Sequence, residues 1–206
     1  NPVHKGSLSH GVGGALLSYP RGVFVSGNYA YVASYSSNAL EVVDISNPAN
    51  PVHKGSLSNG VGGAALSNPF AVYVSGNYAY VASYGSNALE IVDVSNPANP
   101  IHKGSLSNGS GGAALSAPTS VYVSGNYAYI ASSGSNALEI VDISNPASPS
   151  HKGSLSNGTG GAALSGAQSV VVAGDYAYVA SVNGNTLEVV DISNPASPVH
   201  KSTATH

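Results

Sequence analysis

The sequence contains no cysteine, methionine or tryptophan, and only 7% of its 206 residues are charged, where about a quarter is usual for a soluble domain. Without cysteine there can be no disulfide, thiolate nucleophile or cysteine-ligated metal. The six cations, Arg21, Lys5, Lys54, Lys103, Lys152 and Lys201, are spread evenly along a chain of formal net charge −3. Gripping a phosphate backbone needs clustered Lys and Arg, so nucleic acid is not an expected partner. No apolar run approaches the roughly 20 residues of a membrane helix, so membrane insertion is not expected either. A chain that starts at Asn1 and has no Met is expected to be a processed form or a piece of a longer array. What is plentiful is small and neutral: 25 Gly, with many Ser and Asn. Disorder carries more charge than this. The composition suits a repetitive, β-rich protein, expected outside the cell or on its surface.

The chain repeats. Tyr29, Tyr78, Tyr127 and Tyr176 lie 49 residues apart, as do Asp44, Asp93, Asp142 and Asp191. Within one unit, Ala71 to Ser75 reads as a strand, Gly76-Asn77 as a two-residue hairpin turn, and Tyr78 to Ser83 as a second strand. Gly85-Ser86-Asn87 turns the chain into a third strand, Ala88 to Val94. The proline-stiffened corner Ser95 to Pro100 cannot sit in a central strand and leads to a fourth, Ile101 to Leu106. A long Gly/Ala/Ser-rich connection, Ser107 to Pro118, follows. Apolar side chains occupy both faces: Val72 and Val74 alternate with Tyr73, and Tyr78 and Tyr80 with Ala79 and Val81. A sheet with one wet face would alternate with polar residues instead. Two-faced antiparallel sheets of this length suit the blades of a β-propeller. A β-solenoid also uses Gly/Asn turns, but its coils are parallel and would show a shorter sub-period.

Leu89-Glu90-Ile91-Val92-Asp93, following Tyr78-Ala79-Tyr80-Val81-Ala82, resembles the LVIVD repeat of bacterial and archaeal surface or secreted β-propellers. So do Leu40-Glu41-Val42-Val43-Asp44, Leu138-Glu139-Ile140-Val141-Asp142 and Leu187-Glu188-Val189-Val190-Asp191. The Asp-x-Ser-x-Pro that normally follows is present at Asp93 to Pro97. The connection between fourth and first strands is longer than in the family pattern, and the resemblance brings no catalytic residues.

The expected fold is all-β: a propeller of four antiparallel four-stranded blades in a single domain over 1–206, with repeats near 9–57, 58–106, 107–155 and 156–203. Four blades need four outer strands, but five such segments exist, because Asn1 to Leu8 matches Asn50 to Leu57 and Pro198 to Lys201, within the segment Val199 to Ser202, matches again. One terminal segment should latch the last blade and the other stay unpaired. An unpaired strand is a template for another chain. Self-association through Val3, His4, Lys5 and Leu8, or through Val199 and His200, is therefore expected, giving a homo-oligomer or a filament.

Candidates for chemistry are few. Asp93 ends the third strand and His102 begins the fourth, so they are expected to face each other, as are Asp44 and His53, Asp142 and His151, and Asp191 and His200. No nucleophilic Ser accompanies them, and a fourfold pair reads as a structural hydrogen bond, so no enzyme and no cofactor is expected. Metal ligands must converge on one ion, which outer strands of separate blades do not do. Glu90 and Lys103 read as a cross-strand surface ion pair. Loops on one face of a rigid scaffold are common binding sites. Their neutral polar residues suit a glycan: His10, Tyr19, Arg21, Tyr35, Asn59, Tyr84, Asn87, Asn108, Asn136 and Asn157. The glycine-rich loop lacks a following Lys-Ser/Thr and helix, so it is not a P-loop, and it could equally fold inward or pack on another subunit. A structural and interaction module that self-associates is the expected function, with a multivalent lectin as the alternative.

Overall fold

The computed structural model describes residues 1–205. Sixteen strands form four antiparallel four-stranded sheets, each a meander of consecutive strands. The first blade is β1 (Pro20–Ser26), β2 (Tyr29–Ser34), β3 (Ala39–Asp44) and β4 (Val52–Ser58). The second is β5 (Pro69–Ser75), β6 (Tyr78–Ser83), β7 (Ala88–Asp93) and β8 (Ile101–Ser107). The third is β9 (Pro118–Ser124), β10 (Tyr127–Ser132), β11 (Ala137–Asp142) and β12 (Ser150–Ser156). The fourth is β13 (Ala167–Ala173), β14 (Tyr176–Ser181), β15 (Thr186–Asp191) and β16 (Val199–Thr205).

The turns follow from their residues. Gly76 takes φ 57° while Asn77 does not enter the left-handed region, the pattern of a hairpin with glycine at its first central position. Asn87 takes φ 51° in the next turn, a conformation Asn tolerates better than most residues. Two irregularities recur. Phe70 is skipped in the pairing of β5 with β6, and Lys103 in the pairing of β7 with β8. Such bulges re-aim side chains and sharpen the local twist.

The core lies between blades. Tyr31, Ala33, Leu40, Val42 and Leu57 of the first blade pack on Leu66, Val72, Val74, Ala79, Val81 and Val92 of the second. The same set recurs between second and third, and between third and fourth. The outer strand joins in through a glycine. A Cβ on Gly55 would stand 2.6 Å from the Pro97 carbonyl oxygen, and one on Gly104 would stand 2.6 Å from that of Pro146. The proline corners of the second, third and fourth blades thus press on the outer strand of the blade before.

The expected ring does not close on itself. The fourth blade does not come round to pack on the first. β16 completes the fourth blade, and residues 1–8 belong to no strand. The end faces are consequently bare: Val23 and Val25 are 65% and 57% exposed, whereas Val72 and Val74 are each 7% exposed. Leu187 is 43% exposed while Leu40, Leu89 and Leu138 are fully buried.

Replacing Gly104 with Ala should lower stability by about 1–3 kcal/mol, because the added carbon meets backbone that cannot give way. Urea unfolding of the variant measures this.

Candidate functional site

At the loop end of every blade a carboxylate is buried. Glu41, Glu90, Glu139 and Glu188, each in the third strand of its blade, have no exposed surface. One oxygen of each bonds the Nδ1 of His53, His102, His151 or His200 at 2.5–2.6 Å. The other accepts the backbone N–H of Leu16, Ala65, Ala114 or Ala163 at 2.9–3.1 Å. Those amides belong to the long connection, whose Gly63 lies against the His102 ring. The buried pair therefore stitches the glycine-rich loop to the blade.

This corrects two expectations. Val92, not Asp93, is paired across the sheet with His102. Successive side chains in a strand point to opposite faces, so Glu90 shares the histidine's face and Asp93 does not. Asp93 instead accepts the Ser95 N–H at 3.0 Å and the Ser95 hydroxyl at 2.6 Å, closing an Asx turn at the corner. Glu90, buried with His102, makes no ion pair with Lys103, which sits in the bulge. A signal for Glu90 was present: it lies between Leu89 and Ile91 in a strand read as buried on both faces, so it could not be a surface residue.

Burial pushes the carboxyls of Glu90 and Glu139 above the ordinary value of 4.5, opposed by the loop amide and the histidine. Hydrogen bonds from Ser95 and Ser144 hold Asp93 and Asp142 below the ordinary value of 3.8. Among the described residues no group of three or more His, Asp or Glu is arranged to hold a metal.

The predicted asparagines are used within the chain. Asn59, Asn108 and Asn157 accept the N–H of Leu66, Leu115 and Leu164, each at 2.8 Å, and His10 accepts that of Leu17 at 3.1 Å. These bonds hold the loop so that Leu66, Leu115 and Leu164 are fully buried between blades. Asn38, Asn87 and Asn136 reach across to the next blade and accept the N–H of Asn68, Ala117 and Gly166 at 2.7–2.8 Å.

The remaining predicted residues come together. Tyr19, Arg21, Tyr35 and Tyr84, with Phe70, form one cluster at the loop face of the first two blades. The Arg21 guanidinium carbon lies 4.6 Å, 5.4 Å and 5.0 Å from the Tyr19, Tyr35 and Phe70 ring centres. Tyr84 stands 6.0 Å from Phe70 and 6.3 Å from Tyr35. Arg21 and Phe70 are the skipped residues of the β1 and β5 bulges, which explains why they leave their sheets. Beside this cluster a cleft of about 560 Å³ opens, lined by Leu8, His10, Leu17, Arg21, Val23 and Val32. Val3, His4 and Lys5 are exposed and Leu8 is half-buried, in a segment whose Gly6 lies against the first blade's Pro48–Ala49 corner. Val199 and His200 lie in β16, with His200 bound to Glu188.

A family model described as the LVIVD repeat matches residues 19–58, 70–107, 117–156 and 165–205. The chain belongs to the LVIVD-repeat family. Among solved structures, the LVIVD array resembles hydrazine synthase of Kuenenia stuttgartiensis at 18% identity and TM-score 0.68, over 100% of this chain and 53% of that one. It resembles the periplasmic gluconolactonase PpgL of Pseudomonas aeruginosa at 15% identity and TM-score 0.69, over 90% and 53%. It also resembles the computationally designed Ika4 protein at 13% identity and TM-score 0.59, over 84% and 90%. At these identities the likeness is one of fold, and the array spans about half the length of the first two. A search of curated protein sequences finds no match. No helix of the array is long and apolar enough to cross a membrane.

Glu90→Ala should cost about 2–3 kcal/mol, since it strands the Ala65 N–H and the His102 ring, and should speed hydrogen exchange in the Ser58 to Asn68 loop. Glu90→Gln keeps an acceptor for the loop and should cost less. A carboxyl raised in the folded state favours folding most below its unfolded value of about 4.5, and that advantage is lost as the pH rises through the folded value. The Asp93 corner behaves oppositely: its contribution is whole above about pH 3.8 and fades only as strong acid reaches the lower folded value. Urea midpoints should therefore rise as the pH falls from neutrality towards 5, and the Glu90→Gln/Glu139→Gln double variant should flatten that slope.

Proposed function

We propose that the LVIVD array is a non-catalytic structural and interaction module, working outside the cell, that self-associates head to tail through its two end faces and spare terminal strand. The observation that carries this is the match between those faces. Every inner interface sets a Tyr-Ala-Leu-Val or Tyr-Ala-Leu-Ile group against an Ala-Leu-Val-Val group. The fourth blade ends on the first group, as Tyr178, Ala180, Leu187 and Val189. The first blade begins on the second, as Ala15, Leu17, Val23 and Val25. Of these, Val23, Val25 and Leu187 are exposed; exposed apolar surface marks an association site, and a head-to-tail contact closes a ring or extends a filament. The polar latch repeats the pattern. Asn185 takes φ 51° like Asn38, Asn87 and Asn136, and its counterpart donor is the backbone N–H of Tyr19. Among the described residues neither the Asn185 side chain nor the Tyr19 N–H has a hydrogen-bond partner. The buried Glu–His pairs offer no rival enzymatic reading, because they recur fourfold beneath loops and are consumed in holding them.

A second reading, a lectin site, has one observation in its favour: the Tyr19, Arg21, Tyr35, Phe70 and Tyr84 cluster. Flat rings beside a guanidinium suit a sugar ring, by stacking and hydrogen bonding. The equivalents in the third and fourth blades are Ala117, Thr119, Ser133, Gly166, Gln168 and Val182, so the site is single rather than repeated.

Sedimentation equilibrium should give multiples of the 20.4 kDa chain. Leu187→Asp or Val25→Asp should return it to a monomer with unchanged β-sheet circular dichroism. A wild-type chain monomeric at 100 μM, together with glycan-array binding abolished by Arg21→Ala, would favour the lectin.

A further inference from the structure

The spare segment at the start of the chain already lies where another blade's outer strand belongs. A Cβ on Gly6 would stand 2.7 Å from the carbonyl oxygens of Pro48 and Ala49. Gly55 meets Pro97 and Ala98 in the same way, Gly104 meets Pro146 and Ala147, and Gly153 meets Pro195 and Ala196. In each of those three cases the glycine belongs to the outer strand of the preceding blade. Residues 3–8, although in no strand, therefore run beside the first blade's corner where the outer strand of a preceding blade would lie.

The fourth blade has the opposite fault. Its β16 carries Ser202 where β4, β8 and β12 carry Gly55, Gly104 and Gly153, and Ala204 where they carry Leu57, Leu106 and Leu155. A side chain at the glycine position would drive into the carbonyls of any following corner. The missing leucine would leave its slot in the inter-blade core empty. The initial segment keeps both residues, as Gly6 and Leu8, and Leu8 lines the cleft at the bare face of the first blade. β16 is paired along its length with β15, but its Ser202 and Ala204 are exposed where Gly55 and Leu57 are buried.

Resting on the self-association proposed above, we infer that residues 3–9 of one copy replace β16 as the outer strand of the fourth blade of a second copy. The exchange is reciprocal and closes two chains into one eight-bladed ring. The two segments cannot share the place, because the corner that receives Gly6 excludes Ser202. Transferring the register of β3 with β4 pairs the incoming Gly6 with Val189, Leu8 with Leu187 and Ser9 with Thr186. It brings His4 to Glu188 in place of His200. Eight blades fall within the range that propellers adopt.

The absence of native cysteine makes the test direct. Residues directly opposed across antiparallel strands have Cα atoms about 4.5–5.5 Å apart, within disulfide reach. The full chain carrying Ser9→Cys and Thr186→Cys should oxidise to a covalent dimer on a non-reducing gel, while each single variant should not give the doubly linked dimer. Adding Ser202→Gly and Ala204→Leu, which refits β16 for its own blade, should slow cross-linking about tenfold. A wild-type dimer by sedimentation without the cross-link would overturn the exchange while leaving self-association intact. A wild-type monomer would overturn both, and a ladder of higher cross-linked species would overturn closure at two copies.

Discussion

A sheet that is apolar on both faces cannot be stable with only one face covered, and this requirement shapes the whole array. Burying a leucine or valine is worth about 1.5–3 kcal/mol relative to leaving it in water. Each blade here presents several such residues on each side. Three seams satisfy the three inner pairs of faces, and an open arc must leave one face of each kind unsatisfied. Leu40, Leu89, Leu138 and Leu187 are the same residue on the same strand, yet only the last is open to water. Its exposure reflects position in the array and owes nothing to local sequence.

The buried glutamates serve a different need. The connection between blades is nearly devoid of side chains that could anchor it: Gly62, Gly63, Ala64 and Ala65 offer little to pack. It is tied down at Leu66, by Asn59, and by the Glu90 oxygen that takes the Ala65 amide. A carboxylate is costly to bury unless its lone pairs are engaged. Here the loop amide and the histidine engage them, so the loop and the charge stabilise each other, and removing either partner exposes the cost of the other.

Much of this was legible in the residues. The 49-residue period, the two-faced strands and the Gly-Asn turns led to antiparallel blades, and Tyr78 to Ser83 coincides with β6. Other strand ends differ by one or two residues, because they are set by cross-strand bonds that periodicity does not encode. Asp93 and His102 are close at the corner, but the alternation of faces separates them, which proximity in sequence does not reveal. The Phe70 part of the aromatic cluster was missed because a bulge, invisible in an alternating pattern, turns that side chain out of its sheet. Closure is not legible in one repeat, for a physical reason. Each blade seats on the next through a packed seam and a close glycine contact, and no single unit reveals how many such steps complete a circle.

Near-identity between repeats makes each departure informative. A position kept three times and altered once is either free to drift or required to differ. Gly55, Gly104 and Gly153 are confined by backbone within 2.5–2.6 Å of where a Cβ would sit, so drift there is tolerated only where no neighbour presses. Ser202 meets that condition in the isolated arc. The same reasoning applies to Tyr19, which holds φ 50° at a position occupied by Gly166 in the fourth blade. A bulky residue in the left-handed region is strained, and an aromatic kept there against that strain has a use beyond the turn. Its ring lies under the Arg21 guanidinium, at the edge where the first blade's bare face begins. The strained tyrosine, the bulged arginine and the open seam thus meet at one place, the bare face of the first blade.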